Sequence, residues 1–236
     1  MRRAWTDYWV FWREFRRTFE TTGAVLPSGP ALSAALARYV REGGTKVPSP
    51  RHGESRATCR LPKGEGFKTG RRILEVGPGT GAVTAHIVRA MRAGDRLELV
   101  ERNDVFVARL RERLADDDLF RPCAERITLH HLGVEELPED QPYDVIVSGL
   151  PLNNFSVDVV QSILAKLGRL LAPGGTLSFF EYIAVRRAKA ALSRQAERER
   201  LRGIERILSE FLAGREIRRD RVLANVPPAW VHHVRW

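Results

Sequence analysis

The chain has 236 residues, 39 Lys and Arg against 29 Asp and Glu, and a formal net charge of +10 at pH 7. That length predicts one domain with additions, and 43% hydrophobic with 29% charged residues excludes a disordered tail, a collagen and a coiled coil. Cys59 and Cys123 are too few for a disulfide framework or a four-ligand zinc site, and they read as free thiols with a single bridge left open.

Residues 1 to 20 predict an amphipathic helix, because Trp5, Tyr8, Trp12, Phe15 and Phe19 recur at three- and four-residue steps. Trp9 and Phe11 widen that face, Asp7, Arg13, Glu14 and Arg17 oppose it, and Arg16 sits at its edge with a stem long enough to snorkel. Asp7, Arg13 and Glu14 also interrupt any signal-peptide core. No run reaches the ~20 apolar residues that cross a bilayer. A loop over Thr21–Pro27 leads to a second helix, capped by Ser28 or Gly29 with Pro30 in its first turn. Residues 43–70 are rich in Gly, Pro, Ser and basic residues without periodicity, and read as a mobile insert.

From residue 71 onwards strands alternate with helices. The expected strands are Arg72–Val76, Arg96–Glu101, Arg126–His130, Tyr143–Ser148 and Gly175–Ile183, with helices at Gly81–Arg92, Asn103–Leu114 and Val157–Leu171. A long charged helix over roughly Val185–Ala213 precedes two short strands near 216–223 and 230–236. This predicts a doubly wound α/β sheet, residues 71–236, with an N-terminal helical addition over 1–42.

The segment Ile73-Leu-Glu-Val-Gly-Pro-Gly-Thr-Gly81 carries the most chemistry. A short apolar strand runs into three glycines and a helix starts at once, so the backbone can turn tightly and approach a ligand. The spacing is G-x-G-x-G, not the G-x-G-x-x-G of dinucleotide enzymes, and Glu75 before it suits a cationic ligand better than a pyrophosphate. Twenty residues after Gly81 the next strand ends in Glu101, where a carboxylate can accept both ribose hydroxyls. Asn103 reads as the cap of the following helix.

These residues resemble motif I of class I S-adenosylmethionine-dependent methyltransferases. The resemblance implies a Rossmann-like seven-stranded sheet with its last strand antiparallel. It also implies a cofactor site formed by Glu75, Gly77, Pro78, Gly79, Thr80, Gly81, Glu101, Arg102, Gly133, Val134, Ser148 and Gly149. The loop at Leu132, Gly133 and Val134 would approach the adenine; many relatives are acidic there, and with Gly133 in this chain the contact would come from backbone or from Glu135.

The fourth strand ends in Val147-Ser-Gly-Leu-Pro-Leu-Asn-Asn-Phe155. Adenine methyltransferases place Asn or Asp, a proline turn and an aromatic here; this chain has Gly149 and Leu152 instead. The loop is similar to that of bacterial phospholipid N-methyltransferases of the phosphatidylethanolamine-methylating type. Thr22-Gly-Ala-Val-Leu-Pro-Ser28, Phe179-Phe-Glu-Tyr182 and Asn225-Val-Pro-Pro-Ala-Trp-Val231 share that similarity. It implies attack by a lipid primary amine, once or successively, with S-adenosylhomocysteine as product. Leu150, Pro151 and Asn153 would orient the amine, and Glu181 or Tyr182 would accept its proton. Ornithine-lipid N-methyltransferases look alike, and an rRNA adenine-N6 methyltransferase is the rival class, favoured by charge but not by Gly149 and Leu152. A module that binds the cofactor without chemistry is the third reading, opposed by the intact glycine loop and Glu101.

The expected partners are the lipid substrate and an anionic membrane surface, with nucleic acid disfavoured, for a monomer at the cytoplasmic face. The first twenty residues carry five Arg against three acids, so Trp5, Trp9, Trp12, Arg13, Arg16 and Arg17 would bind membrane mainly through aromatic area. Residues 186–221 carry twelve Lys or Arg against six acids, read as a solvated face with a second membrane or RNA contact left open. His130-His131 and His232-His233 should chelate no metal, since neighbours on a strand point to opposite faces.

Overall fold

The computed structural model describes residues 28–42, 70–183, 195–225 and 227–236. The aromatic N-terminal segment with Trp5, Trp9, Trp12, Arg13, Arg16 and Arg17 lies outside the described residues. So do Thr22 to Pro27, the 43–70 insert except Gly70, Cys59, and the first part of the long charged helix.

Strands β1 (Arg72–Val76), β2 (Arg96–Glu101), β3 (Ile127–His131), β4 (Tyr143–Ser148), β5 (Leu171–Tyr182), β6 (Glu216–Val222) and β7 (Ala229–Arg235) form one sheet. Its order is β3-β2-β1-β4-β5-β7-β6, and only β7 runs antiparallel to its neighbours. The central strands are covered on both faces, which is why β1 and β4 read as nearly unbroken apolar runs. On one face α1 (Pro30–Leu36) and α3 (Ala82–Ala90) pack with Leu110 of α4 (Asp104–Asp116) over Ile73, Leu99, Val145 and Val147. On the other, α5 (Val157–Leu170) and α6 (Gln195–Leu212) cover Leu74, Ile146, Leu177 and Phe179. The order of strand addition reverses between the parallel strands β1 and β4, so a crevice opens outside their carboxyl ends.

Most element ends lie within one or two residues of those the sequence predicts, and two differences are larger. The helix that begins at Pro30 breaks at Ala37, giving α1 and the short α2 (Arg38–Glu42). Strand β5 starts at Leu171, not Gly175: pairing with β4 jumps from Tyr143↔Leu171 to Val145↔Thr176, so Ala172–Gly175 bulges out of a continuing strand. The Pro-Gly-Gly run there marks an excursion within the strand.

Helices α1 and α2 are tied to the β6–β7 pair by polar contacts. Gly29 N–H donates to Asn225 Oδ1 at 3.0 Å, and Arg38 donates to Asp220 at 2.7 Å. Behind them Ser178 Oγ and His233 Nδ1 lie 2.7 Å apart in the buried interior, and His233 Nε2 faces Asp220 at 3.3 Å. Burial pushes the His233 imidazole down to about 4, so it is neutral at pH 7.

Candidate active site at the carboxyl ends of β1, β2 and β4

The glycine loop leaves β1 with its backbone in the left-handed region, φ +70° at Gly77 and +56° at Gly79. A Cβ on Gly77 would sit 2.8 Å from Leu150 Cδ2, so the cofactor loop and the loop after β4 touch through a position only glycine fills without strain. At Gly79 nothing lies within 4 Å of where a Cβ would stand, which leaves the backbone open to a ligand. Arg113 of α4 donates to the carbonyls of Thr80 and Gly81 at 2.8 and 3.1 Å and holds Asp117 behind it. Sequence reasoning does not reach this clamp, because the two partners lie more than thirty residues apart.

Glu101 closes β2 and is buried. Its carboxylate accepts from Gly79 N–H at 3.0 Å and from the N–H groups of Arg102 and Asn103 at 2.9 Å each. Burial pushes its pKa up and the three backbone donors pull it back. Asn103 caps α4 by accepting from Val105 and Phe106. Beside Glu101 a crevice is lined by Val76, Gly77, Arg102, Gly133, Val134 and Leu150. Arg102 donates to Glu135 at 2.6 Å, bridging the end of β2 and the loop after β3.

Glu75 is fully buried on the α3 face, opposite Leu99 and Val147 in the neighbouring strands. Neither carboxylate oxygen has a hydrogen-bond partner among the described residues. Burial raises its pKa to about 8, Thr84 beside it opposes the rise, and Glu101 adds repulsion.

The loop after β4 is the second part of the site. Gly149 N–H donates to Val76 O at 2.8 Å and locks the loop to β1. Ser148, Leu150 and Asn153 are buried and Pro151 is half-buried. The side-chain Oδ1 and Nδ2 of Asn153 have no hydrogen-bond partner among the described residues. Arg200 of α6 donates to the carbonyls of Asn153, at 3.0 Å, and of Phe155. This clasp also leaves no signal in the sequence.

The cofactor residues named from sequence therefore converge at the ends of β1 to β4. Glu181 and Tyr182 do not converge with each other. Glu181 lies on the α6 face, 3.7 Å from His232 Nε2, whereas Tyr182 packs in the opposite core against Phe180, with its phenol pKa raised by burial. His232 and His233 point to opposite faces as expected, the first to Glu216 and Phe179 and the second to Ser178 and Asp220. Cys123 is buried, and Arg126 donates to its Sγ at 3.3 Å.

Residues 73–175 match the family model described as a methyltransferase domain. The chain is 25% identical over 177 residues to the ornithine lipid N-methyltransferase of Singulisphaera acidiphila, covering 73% of this chain and 76% of that one. It is 30% identical over 118 residues to the ubiquinone/menaquinone biosynthesis C-methyltransferase UbiE of Idiomarina loihiensis, covering 50% of this chain and 45% of that one. The crystal structure of an O-methyltransferase from Bacillus cereus in complex with SAH shares the fold, with TM-score 0.60 and 14% identity over 99% of this chain and 98% of that one.

The sheet order, the glycine loop, the carboxylate ending β2 and the match over 73–175 define a class I S-adenosylmethionine-dependent methyltransferase. The cofactor is S-adenosylmethionine, and the residues present fit it. Glu101 is positioned for a ribose, the Gly79 backbone is open for close approach, and the orphaned Glu75 carboxyl waits for a cationic neighbour. Among the described residues no helix is long and apolar enough to cross a membrane.

Proposed function

We propose that this enzyme methylates the primary amine of a membrane lipid, with ornithine lipid or phosphatidylethanolamine as the headgroup. The observation that carries the reading is the loop after β4. It keeps the proline turn but offers Gly149 and Leu152 where a base-methylating site needs a polar side chain and an aromatic, and it buries an unpartnered amide at Asn153. The long alignment to an ornithine lipid N-methyltransferase supports the same acceptor class. The UbiE alignment covers half of this chain and speaks mainly for the shared cofactor half.

S-adenosylmethionine supplies an electrophilic methyl when bound. An ammonium has no lone pair, and holding a lysine-like amine neutral at pH 7 costs roughly 4–5 kcal/mol. A desolvated site with acceptors offsets that cost. The carbonyls near Leu150 and Pro151 and the free Oδ1 of Asn153 orient the amine. In-line positioning contributes roughly 7–11 kcal/mol. Glu181 is the better proton acceptor of the two candidates: it shares a sheet face with Leu150, Leu152 and Phe155, while Tyr182 faces the other core with its phenol pKa raised.

The test is methyl transfer from labelled S-adenosylmethionine to vesicles of phosphatidylethanolamine, vesicles containing ornithine lipid, or undermethylated ribosomal RNA. Label in a lipid extract is expected, and the better vesicle selects the headgroup. Label confined to RNA, or none in either lipid, overturns the reading.

A further inference from the structure

The outer corner of the sheet, where β6 meets β7, presents an arginine pair that the cofactor site does not use. Arg221 lies directly across from Trp230 in the strand register, and Arg219 lies across from His232. Both guanidinium groups sit over the Trp230 ring, 4.8 Å away for Arg219 and 5.6 Å for Arg221. Both arginines are exposed, and neither has a carboxylate partner among the described residues. The next arginine on the strand behaves differently. Arg218 points to the opposite face and is held by Asp220 at 2.8 Å, and Arg38 holds the same aspartate from α2. Leu223, directly after β6, is 59% exposed.

This corner faces the same way as the active site. Glu181 and Tyr182, at the carboxyl end of β5, pair with Trp230 and Ala229. At about 4.8 Å per strand, β7 and β6 lie roughly 10 and 15 Å from β4 and its acceptor loop. Two uncompensated cations stacked on an amphipathic ring, beside an exposed leucine, match an acidic lipid surface in charge and polarity.

We propose that Arg219, Arg221 and Trp230 form a docking patch for an acidic phospholipid surface, which seats the carboxyl end of the sheet on the bilayer. The assignment rests on the lipid reading above, and its test separates the two. Flotation of the full chain is compared on vesicles of phosphatidylcholine alone and of phosphatidylcholine mixed with phosphatidylglycerol. The variants are Arg219→Gln with Arg221→Gln, and Arg219→Lys with Arg221→Lys. Both positions are exposed, and cofactor binding by each variant checks the fold.

Wild type is expected to prefer the acidic vesicles. At about five-fold for each basic residue near an anionic surface, the glutamine pair weakens partitioning about 30-fold, and the lysine pair keeps most of it. Equal binding to both vesicle types, or a glutamine pair that floats like wild type, overturns the patch, even if lipid methylation proceeds. So does arginine-dependent binding to RNA in place of vesicles. A glutamine pair that keeps vesicle binding but self-associates would assign these arginines to guarding the open edge of β6 instead. Arginine-dependent flotation without any lipid methylation keeps the patch and removes the headgroup assignment.

Discussion

The two sides of the crevice are finished in different ways. On the β2–β1 side, Glu101 is enclosed by three backbone N–H donors and the glycine loop is clamped by Arg113. On the β4 side, the loop backbone is clasped by Arg200, but the side chain of Asn153 is buried without a partner among the described residues. Apart from the Glu75 carboxyl, the first side has its hydrogen bonds made before any ligand arrives, as suits one invariant molecule. The second leaves polar groups whose partner must come from the acceptor, and burying such groups unmet costs about 1–3 kcal/mol each.

The strongest way to break this comparison is at Glu101. Glu101→Gln removes the charge that strengthens the ribose contacts and places an NH2 against backbone donors. Affinity for S-adenosylmethionine is expected to fall about 100-fold, the loss of one or two charge-assisted hydrogen bonds. Titration calorimetry with S-adenosylhomocysteine reads the same loss without turnover. An unchanged affinity would mean that the carboxylate serves the loop and not the ribose.

Glu75 belongs to the cofactor side yet shares the unpartnered state of Asn153, which makes it the sharper probe. Its folded pKa, about 8, lies above the ordinary carboxylate range, so folding takes up a proton between the two values. Stability of the cofactor-free protein therefore falls as pH rises from the mid-4s to about 8. His233 works in the opposite sense: its folded value of about 4 lies below 6.5, so it adds stability as pH rises to about 6.5. Between pH 6.5 and 8 His233 no longer contributes, and Glu75 contributes a decline of about 2 kcal/mol. Chemical denaturation across that window should show the decline in wild type and a shallower one in Glu75→Gln. Equal slopes would mean that Glu75 is already ionised in the free protein.

The same division explains what the sequence could disclose. Strands β1 and β4 lie where the apolar runs place them, because a parallel strand buried on both faces writes its burial as a nearly continuous string. Glycine spacing likewise records a chain that must turn with positive φ at Gly77, Gly79 and Gly81. The opposite faces of Glu181 and Tyr182 follow from strand alternation alone, which rules out the pair as joint candidates. Contacts across the fold leave no such trace. Arg113 on the glycine loop, Arg200 on the acceptor loop and Asn225 on Gly29 join residues tens to hundreds of positions apart. Nothing in a local window tells a clamping arginine from a solvated one. The start of β5 is hidden for a different reason: Pro173-Gly-Gly175 carries the composition of a turn, but sheet pairing resumes on both sides of it.

The smallest expected effect, and the most direct test of the unfinished side, is at Asn153. Truncation to alanine removes two polar atoms that have no partner among the described residues, which favours the folded state, and leaves a small void, which opposes it. The two effects are of similar size, so Asn153→Ala should shift folding stability by no more than about 1 kcal/mol. Cofactor affinity should not change, because the side chain makes no hydrogen bond to the groups around Glu101. What should change is turnover: if the amide orients the incoming amine, methyl transfer falls about ten-fold, equivalent to one neutral hydrogen bond made in the transition state. Measured together, denaturation, calorimetry and single-turnover transfer separate these roles. A variant that loses several kcal/mol of stability would place Asn153 in a satisfied network, and the acceptor side would then be as complete before binding as the cofactor side.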